Sequence, residues 1–396
     1  MLFGIWDARP GVNEQRIMKI LYSIRCQVLA ITDKMFRWLD LYFNDLQSGI
    51  PTGLYFLVFL VSLTNVIYVS PLWNTKVRRR SSTNILSISI LLNILAIIAF
   101  AITWSLILDF FEQEADAMRD LPYEEFLNAR STFVRAYEEV TTTAGYFYSQ
   151  QLLMWVIPGC IFLQNSRMKK QITLAYTATG FLGAISLSFP LFFSHLLLLD
   201  VEEKEEKNED QSSIKTAKTA SLLQIVCAVI AVIAVVVLPQ TVHTHPQTYV
   251  IALFLLHIVL AIPALCSLFI TSEVQVLLPT TTTISLHDLY FGLTGASFVV
   301  HLTHLITAVK ESSTISDLIH FGWQNTCQSS ISYDVVFTIL ICGLYVGARR
   351  GFGSGCLVVI LSPFVSIGST FSFFLAMEES NNNVVVNKIN KSNKLK

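Results

Sequence analysis

Long apolar runs, separated by short polar stretches, recur along most of this chain. A helix that crosses a membrane needs about 20 mainly apolar residues, because the hydrocarbon core is about 30 Å thick. By this criterion the sequence predicts an all-α bundle of eight or nine transmembrane helices; the eighth segment is short and the seventh is the most polar. The predicted segments are residues 53–73, 84–109, 144–164, 172–199, 219–239, 248–270, 289–309, 333–348 and 355–376.

Three polar stretches divide the predicted bundle. Residues 1–50 place apolar positions near helical spacing between arginines and lysines, which predicts an N-terminal amphipathic helix that lies in the membrane interface or packs on the bundle. Residues 51–199 then form a first half with four crossings, followed by a charged flexible loop at 200–218. Residues 219–378 form a second half with four or five crossings, and 379–396 form a disordered tail.

Basic residues at the ends of the segments predict the orientation of the chain. The loops at 76–80 and 167–170 are short and basic, which places both in the cytoplasm. With nine crossings the lysine-rich tail is cytoplasmic too, but Arg349 and Arg350 lie outside. With one crossing fewer ahead of them, this arginine pair is cytoplasmic and the tail is not.

The composition agrees with a lipid bilayer as the main partner. Hydrophobic residues make up 53% of the chain and charged residues 14%, where soluble domains have about 25% charged residues. The net charge of −1 leaves no basic surplus for a nucleic acid. The serine-hydrolase, Walker, dinucleotide-binding and zincin motifs do not occur.

Cysteine and histidine spacing predicts neither a metal nor another cofactor. The seven cysteines form no CxxC pair, and most lie within apolar runs, as expected for small buried hydrophobic side chains. His301 and His304 are one helical turn apart, but no further ligand follows at a suitable spacing. Buried, hydrogen-bonded histidines are the simpler interpretation.

Two carboxylates at the ends of apolar segments are the candidate catalytic residues. Ionisable side chains at membrane depth are costly and often functional. Asp109 follows Trp104, and Asp334 lies near Trp323 and Tyr333. A carboxyl group removed from water can keep its proton and act as a general acid, while aromatic faces attract cations. The simpler alternatives are a helix start capped by neighbouring serines and an aromatic belt at the lipid headgroups.

The stretch at 323–350, WQNTCQSSISYDVVFTILICGLYVGARR, resembles the penultimate helix of polytopic membrane proteins from fungal secondary-metabolite gene clusters. These clusters include the indole-diterpene pathways of the paxilline and lolitrem type, in which some membrane proteins are terpene cyclases. The resemblance implies terpenoid biosynthesis by a metal-independent isomerase or lyase that protonates an epoxidised isoprenoid. It also implies soluble pathway enzymes as partners and the endoplasmic reticulum or another endomembrane as the location.

Carried over to this chain, the resemblance makes Asp334 and Asp109 the acid and its partner. Trp104, Trp323 and Tyr333 become the rings that stabilise the carbocation. With nine crossings the two carboxylates lie at opposite faces of the membrane, and one crossing fewer brings them to the same face.

Two other functions are compatible with the same pattern. A transporter or receptor without catalytic chemistry is favoured by prolines inside predicted crossing segments, at Pro158, Pro190, Pro263 and Pro363. A structural organiser that holds soluble enzymes at the membrane through residues 1–50 is the third interpretation.

Overall fold

The computed structural model describes residues 46–119, 132–141, 145–206, 218–269 and 284–394, and in these ranges the chain forms helices and no strand. Residues 1–45 of the predicted amphipathic helix lie outside the described residues. The helices are α1 (Leu46–Tyr68), α2 (Thr75–Arg80), α3 (Thr83–Arg119), α4 (Thr132–Val140), α5 (Tyr146–Gln164), α6 (Lys170–Leu182), α7 (Ile185–Glu206), α8 (Leu222–Thr241), α9 (Pro246–Phe269), α10 (Leu286–Glu311), α11 (Ile315–His320), α12 (Thr326–Arg350), α13 (Phe352–Val365) and α14 (Ile367–Lys394).

Five of the described helices are long and apolar enough to cross a membrane. They are α3, α8, α9, α10 and α12, and shorter apolar stretches lie in α1, α7 and α13. Large apolar side chains on the outside of these helices, such as Leu57, Ile97, Ile251 and Val299, are exposed. Lipid solvates such a surface, whereas water would drive it to aggregate. The fold is therefore that of a multi-pass helical membrane protein.

The predicted crossing at 172–199 consists of two helices, α6 and α7, separated by Gly183 and Ala184. The chain reverses at this point, since the Tyr176 hydroxyl of α6 lies 3.1 Å from His195 Nδ1 of α7. The two helices thus form a helical hairpin. α7 continues to Glu206, into the stretch where the sequence predicts a flexible loop from residue 200.

Ion pairs bring both ends of this first hairpin to one end of the bundle. Arg167, just ahead of α6, lies 3.8 Å from Asp200 near the end of α7. Arg349, at the end of α12, pairs with the same Asp200 and lies 2.6 Å from Glu378 of α14. Helix α2, which carries the basic residues at 76–80, also packs against α7. We call the end marked by Arg167, Asp200, Arg349 and Glu378 the basic end, and the opposite end the far end.

The predicted crossing at 355–376 also contains a helical hairpin. α13 ends at Val365 and α14 begins at Ile367, on either side of Ser366, whose φ of 79° lies in the left-handed region. Ser366 Oγ lies 3.1 Å from Ser297 Oγ in the middle of α10, so this second reversal lies inside the bundle. α14 then returns to Arg349 at the basic end. It stays helical through Lys394, where the sequence predicts a disordered tail.

An aromatic core joins the two hairpins. Phe193 of α7 stacks on Tyr345 of α12 with ring centroids 4.2 Å apart. Trp155 of α5 lies 4.4 Å from Phe189 of α7 and 5.7 Å from Phe371 of α14. Because these rings are buried and interlocked, both hairpins are held against α5 and α12 near the middle of the molecule.

Candidate functional site

A cavity of about 170 Å³ lies beside the α6–α7 break. Side chains from α1, α3, α4, α5, α9 and α12 complete its wall, and most of them are apolar or aromatic. A dry cavity of about 150 Å³ is large enough to bind benzene, whereas sites for drug-sized molecules measure about 300–1,000 Å³. The cavity therefore suits a molecule built on one small ring.

Asp334 lies in the cavity wall and stabilises the start of α7. The residue is 8% exposed, and its Oδ1 accepts a hydrogen bond from the Ser186 amide at 2.8 Å. The Ile185 amide also acts on this carboxylate. The first amides of a helix have no partner within the helix, and α7 begins inside the bundle, away from water. Asp334 supplies the missing acceptor from another helix.

The position of Asp334 follows from how α12 begins. Asn325 caps this helix, since its side chain accepts from the Gln328 amide at 2.7 Å. Ser330 does not cap it, and its hydroxyl instead donates to the Thr103 carbonyl of α3 at 3.0 Å. The serine cap considered from sequence is therefore replaced by Asn325, and Asp334 lies two turns inside the helix.

Side chains from α1 and α3 close the end of α6. Trp104 Nε1 donates to the Gly183 carbonyl at 2.6 Å, and the Tyr55 hydroxyl donates to the Leu182 carbonyl. The last carbonyls of a helix lack partners in the same way as the first amides. The break is thus satisfied on both sides, by Trp104 and Tyr55 for α6 and by Asp334 for α7.

Tyr137 and His257 form a hydrogen-bonded pair in the same wall. His257 Nδ1 lies 2.8 Å from the Leu253 carbonyl, which only accepts, so in the neutral ring Nδ1 carries the hydrogen. His257 Nε2 then accepts from the Tyr137 hydroxyl at 3.1 Å. Burial raises the pKa of Tyr137 to about 12, and the negative charge of Asp334 adds to this. Tyr137 therefore remains a donor at physiological pH.

Of the five predicted site residues, the structure brings Asp334 and Trp104 together in this cavity. Asp109 is half-buried on α3 and does not line it. Trp323 and Tyr333 pack on each other, with ring centroids 6.2 Å apart, and are 37% and 36% exposed outside the cavity. Since Ser330 contacts Thr103, the start of α12 lies beside the later part of α3, and the two carboxylates share the far half of the bundle.

Three cavity residues, Tyr55, Tyr137 and His257, were not singled out as site residues by the sequence. Tyr137 and His257 are 120 positions apart, so no local spacing indicates that they meet. His257 lies in an apolar segment, where a buried, hydrogen-bonded histidine is expected. Among the described residues there is no group of three or more His, Cys, Asp or Glu side chains that could hold a metal ion.

Comparison with known proteins adds one match. Residues 289–380 match DUF2834, a family described as proteins of unknown function. The match covers less than a quarter of the chain, from α10 into α14, and it includes Asp334 and the second hairpin. No curated protein and no solved structure gives a significant match. The class defined by the fold therefore remains a multi-pass helical membrane protein.

Proposed function

We propose that the chain crosses the membrane seven times and that the two hairpins re-enter from the basic end without crossing. The crossing helices are α1, α3, α5, α8, α9, α10 and α12. The ion pairs of Asp200 support this arrangement, because they hold a residue before α6, a residue near the end of α7 and a residue at the end of α12 together at one end. The polar residues Ser149, Gln150 and Gln151 of α5 are buried within the bundle, so other helices shield them from lipid.

Seven crossings also place the basic loops, the arginine pair at 349–350 and the lysine-rich tail on the same side of the membrane, which neither nine nor eight crossings do. The residues at 76–80, Arg167, Arg349 and the returning α14 all lie at the basic end, which is then cytoplasmic by the positive-inside rule. Neither the arginine pair nor the tail has to lie outside.

We infer that the cavity binds a small, largely apolar molecule and that the protein transports or senses it across an endomembrane. The α6–α7 break beside the cavity carries this inference. Non-helical backbone at membrane depth is tolerated where it is buried in protein or lines a cavity, and transporters commonly place their sites at such discontinuous helices. Here side chains from three other helices form hydrogen bonds with the backbone on both sides of the break, beside the cavity.

Saturable binding of labelled benzyl alcohol to the purified, immobilised protein tests this function, with empty micelles as the background. We expect saturable binding in the wild type and its loss in Ala136→Phe, which fills the cavity from α4. Gly353→Phe is the control, because Gly353 is exposed with open space around it. Absence of saturable binding, or binding that Ala136→Phe leaves unchanged, contradicts the proposal.

The second candidate function is the acid-initiated cyclisation of an isoprenoid in terpenoid biosynthesis. Its support is that a carboxyl group, Asp334, and an aromatic ring, Trp104, line the same cavity. Asp109, Trp323 and Tyr333 lie elsewhere, so only part of the predicted constellation would act. A long isoprenoid also exceeds about 170 Å³, so the cavity would have to widen, for instance by movement of α4. This reaction needs a neutral Asp334.

A further inference from the structure

We propose that the cavity ligand is a protonated amine with a body the size of one small ring. This inference rests on the proposed binding function and adds the chemical class of the ligand. Three features of the cavity support it. The hydrogen-bond donors of its wall are already used within the protein, its carboxylate has no described cationic partner, and its walls are rich in aromatic rings.

The side-chain donors that line the cavity already donate within the protein. The hydroxyl, indole and imidazole groups concerned belong to Tyr55, Thr103, Trp104, Tyr137, His257 and Ser330, and each gives its hydrogen to a carbonyl or to the neighbouring ring nitrogen. Among the described lining residues, only the Cys327 thiol, a weak donor, remains. A ligand that needs donors, such as a carboxylate or phosphate, therefore finds almost none, whereas a ligand that donates finds acceptors.

Asp334 is the carboxylate of this wall, and the described structure pairs it with no Lys, Arg or His side chain. Its described partners are the Ser186 and Ile185 amides, and the Ser186 side chain also acts on it. A carboxylate has about four acceptor positions, so these partners leave room for a further donor. A buried charge is costly unless it is paired, and an ammonium group in the cavity would pair it while donating up to three hydrogen bonds.

Aromatic side chains surround the same space. Four helices contribute aromatic rings to the wall: α3 with Trp104 and Phe111, α4 with Tyr137, α6 with Phe181 and α1 with Tyr55. Aromatic faces attract ammonium groups, most strongly away from water. The cavity of about 170 Å³ limits the rest of the ligand to about the size of benzene.

Benzylammonium and benzyl alcohol provide a matched pair of probes, since they share the ring and differ in the charged group. Each is used unlabelled to displace labelled benzyl alcohol from the full-length protein in micelles. We expect benzylammonium to displace the label at a concentration at least tenfold lower than benzyl alcohol. In Asp334→Asn, which keeps an acceptor for the Ser186 amide, this ratio should fall to about one.

The possible outcomes separate the two proposals. If labelled benzyl alcohol does not bind saturably, the binding function fails and this inference with it. If it binds and the two probes compete equally in the wild type, the amine inference fails while the binding function stands. A neutral Asp334, as the cyclase candidate requires, would produce that outcome. The ratio of the two probe concentrations in the wild type is sufficient to test the amine inference. The inference can therefore be tested even if Asp334→Asn is too unstable to purify.

Discussion

At the scale of single residues, Asp334 has a structural role that cannot be inferred from its position in the sequence. In the sequence it is an isolated acid near the start of an apolar helix. In the structure it accepts a hydrogen bond from the Ser186 amide at the start of another helix, 148 positions away. The same side chain faces the cavity. Its effect on stability and its effect on binding therefore have to be measured separately.

Replacing Asp334 by Ala should destabilise the protein more than replacing it by Asn. Asn keeps an acceptor for the Ser186 amide, whereas Ala leaves this buried donor without a partner. Loss of a helix cap costs about 0.5–2 kcal/mol, so we expect a lower thermal midpoint for Ala than for Asn in detergent. Equal midpoints for the two variants would show that the bond to Ser186 contributes nothing.

The candidate site was predictable only in part, for reasons that the residues make clear. Asp334 was identified because a carboxylate next to a long apolar run is unusual, and Trp104 because it is an aromatic neighbour of Asp109. Tyr137 and His257 could not be identified, because their pairing depends on how α4 packs on α9. Trp323 and Tyr333 share the sequence neighbourhood of Asp334, but they lie outside the cavity.

At the scale of elements, the helix breaks distinguish this fold from a simple bundle of crossings. Hydropathy identified α3, α8, α9, α10 and α12, because each is one continuous apolar helix. It joined α6 to α7 and α13 to α14, since the breaks at Gly183 and Ser366 carry no charge and interrupt no apolar run. Hairpin reversal within an apolar stretch depends on tertiary contacts, which a sliding window cannot detect.

The second hairpin also depends on close contact between α12 and α13. A Cβ built on Gly355 would collide with the Gly343 carbonyl oxygen and would lie 2.9 Å from the Gly347 Cα. Gly355→Ala should therefore push the helices apart and destabilise the protein by about 1–3 kcal/mol. Gly353→Ala on the same helix is the matched control and should be neutral or slightly stabilising, since nothing lies within 4 Å. Thermal unfolding of both variants checks this, and equal midpoints would argue against the close packing.

At the scale of the whole molecule, two hairpins enter from the same end and reach the middle of the bundle. The aromatic core packs them against α5 and α12. The cavity lies beyond the first break, on the far half, next to α4. The region beside the cavity and the basic end therefore lie on opposite halves of the protein.

Epitope tags at three positions test the crossing number. With seven crossings, tags within 207–217 and at the C-terminus face the cytoplasm, and a tag within 120–131 faces the other side. With nine crossings, the tag within 207–217 lies on the same side as the tag within 120–131. With eight crossings, the C-terminal tag lies on the same side as the tag within 120–131. Antibody access before and after full permeabilisation reads out each tag, so any of these other patterns would exclude the seven-crossing arrangement.

Arg349 has a mechanical consequence for the two hairpins. Its guanidinium holds Asp200 of the first hairpin and Glu378 of the second, and the planar fork of arginine can engage two acids at once. A displacement of either hairpin at this end therefore pulls on the other through one side chain. Lysine, with a compact point charge, would couple them less firmly, and neutralising Arg349 would remove this link between the two hairpins.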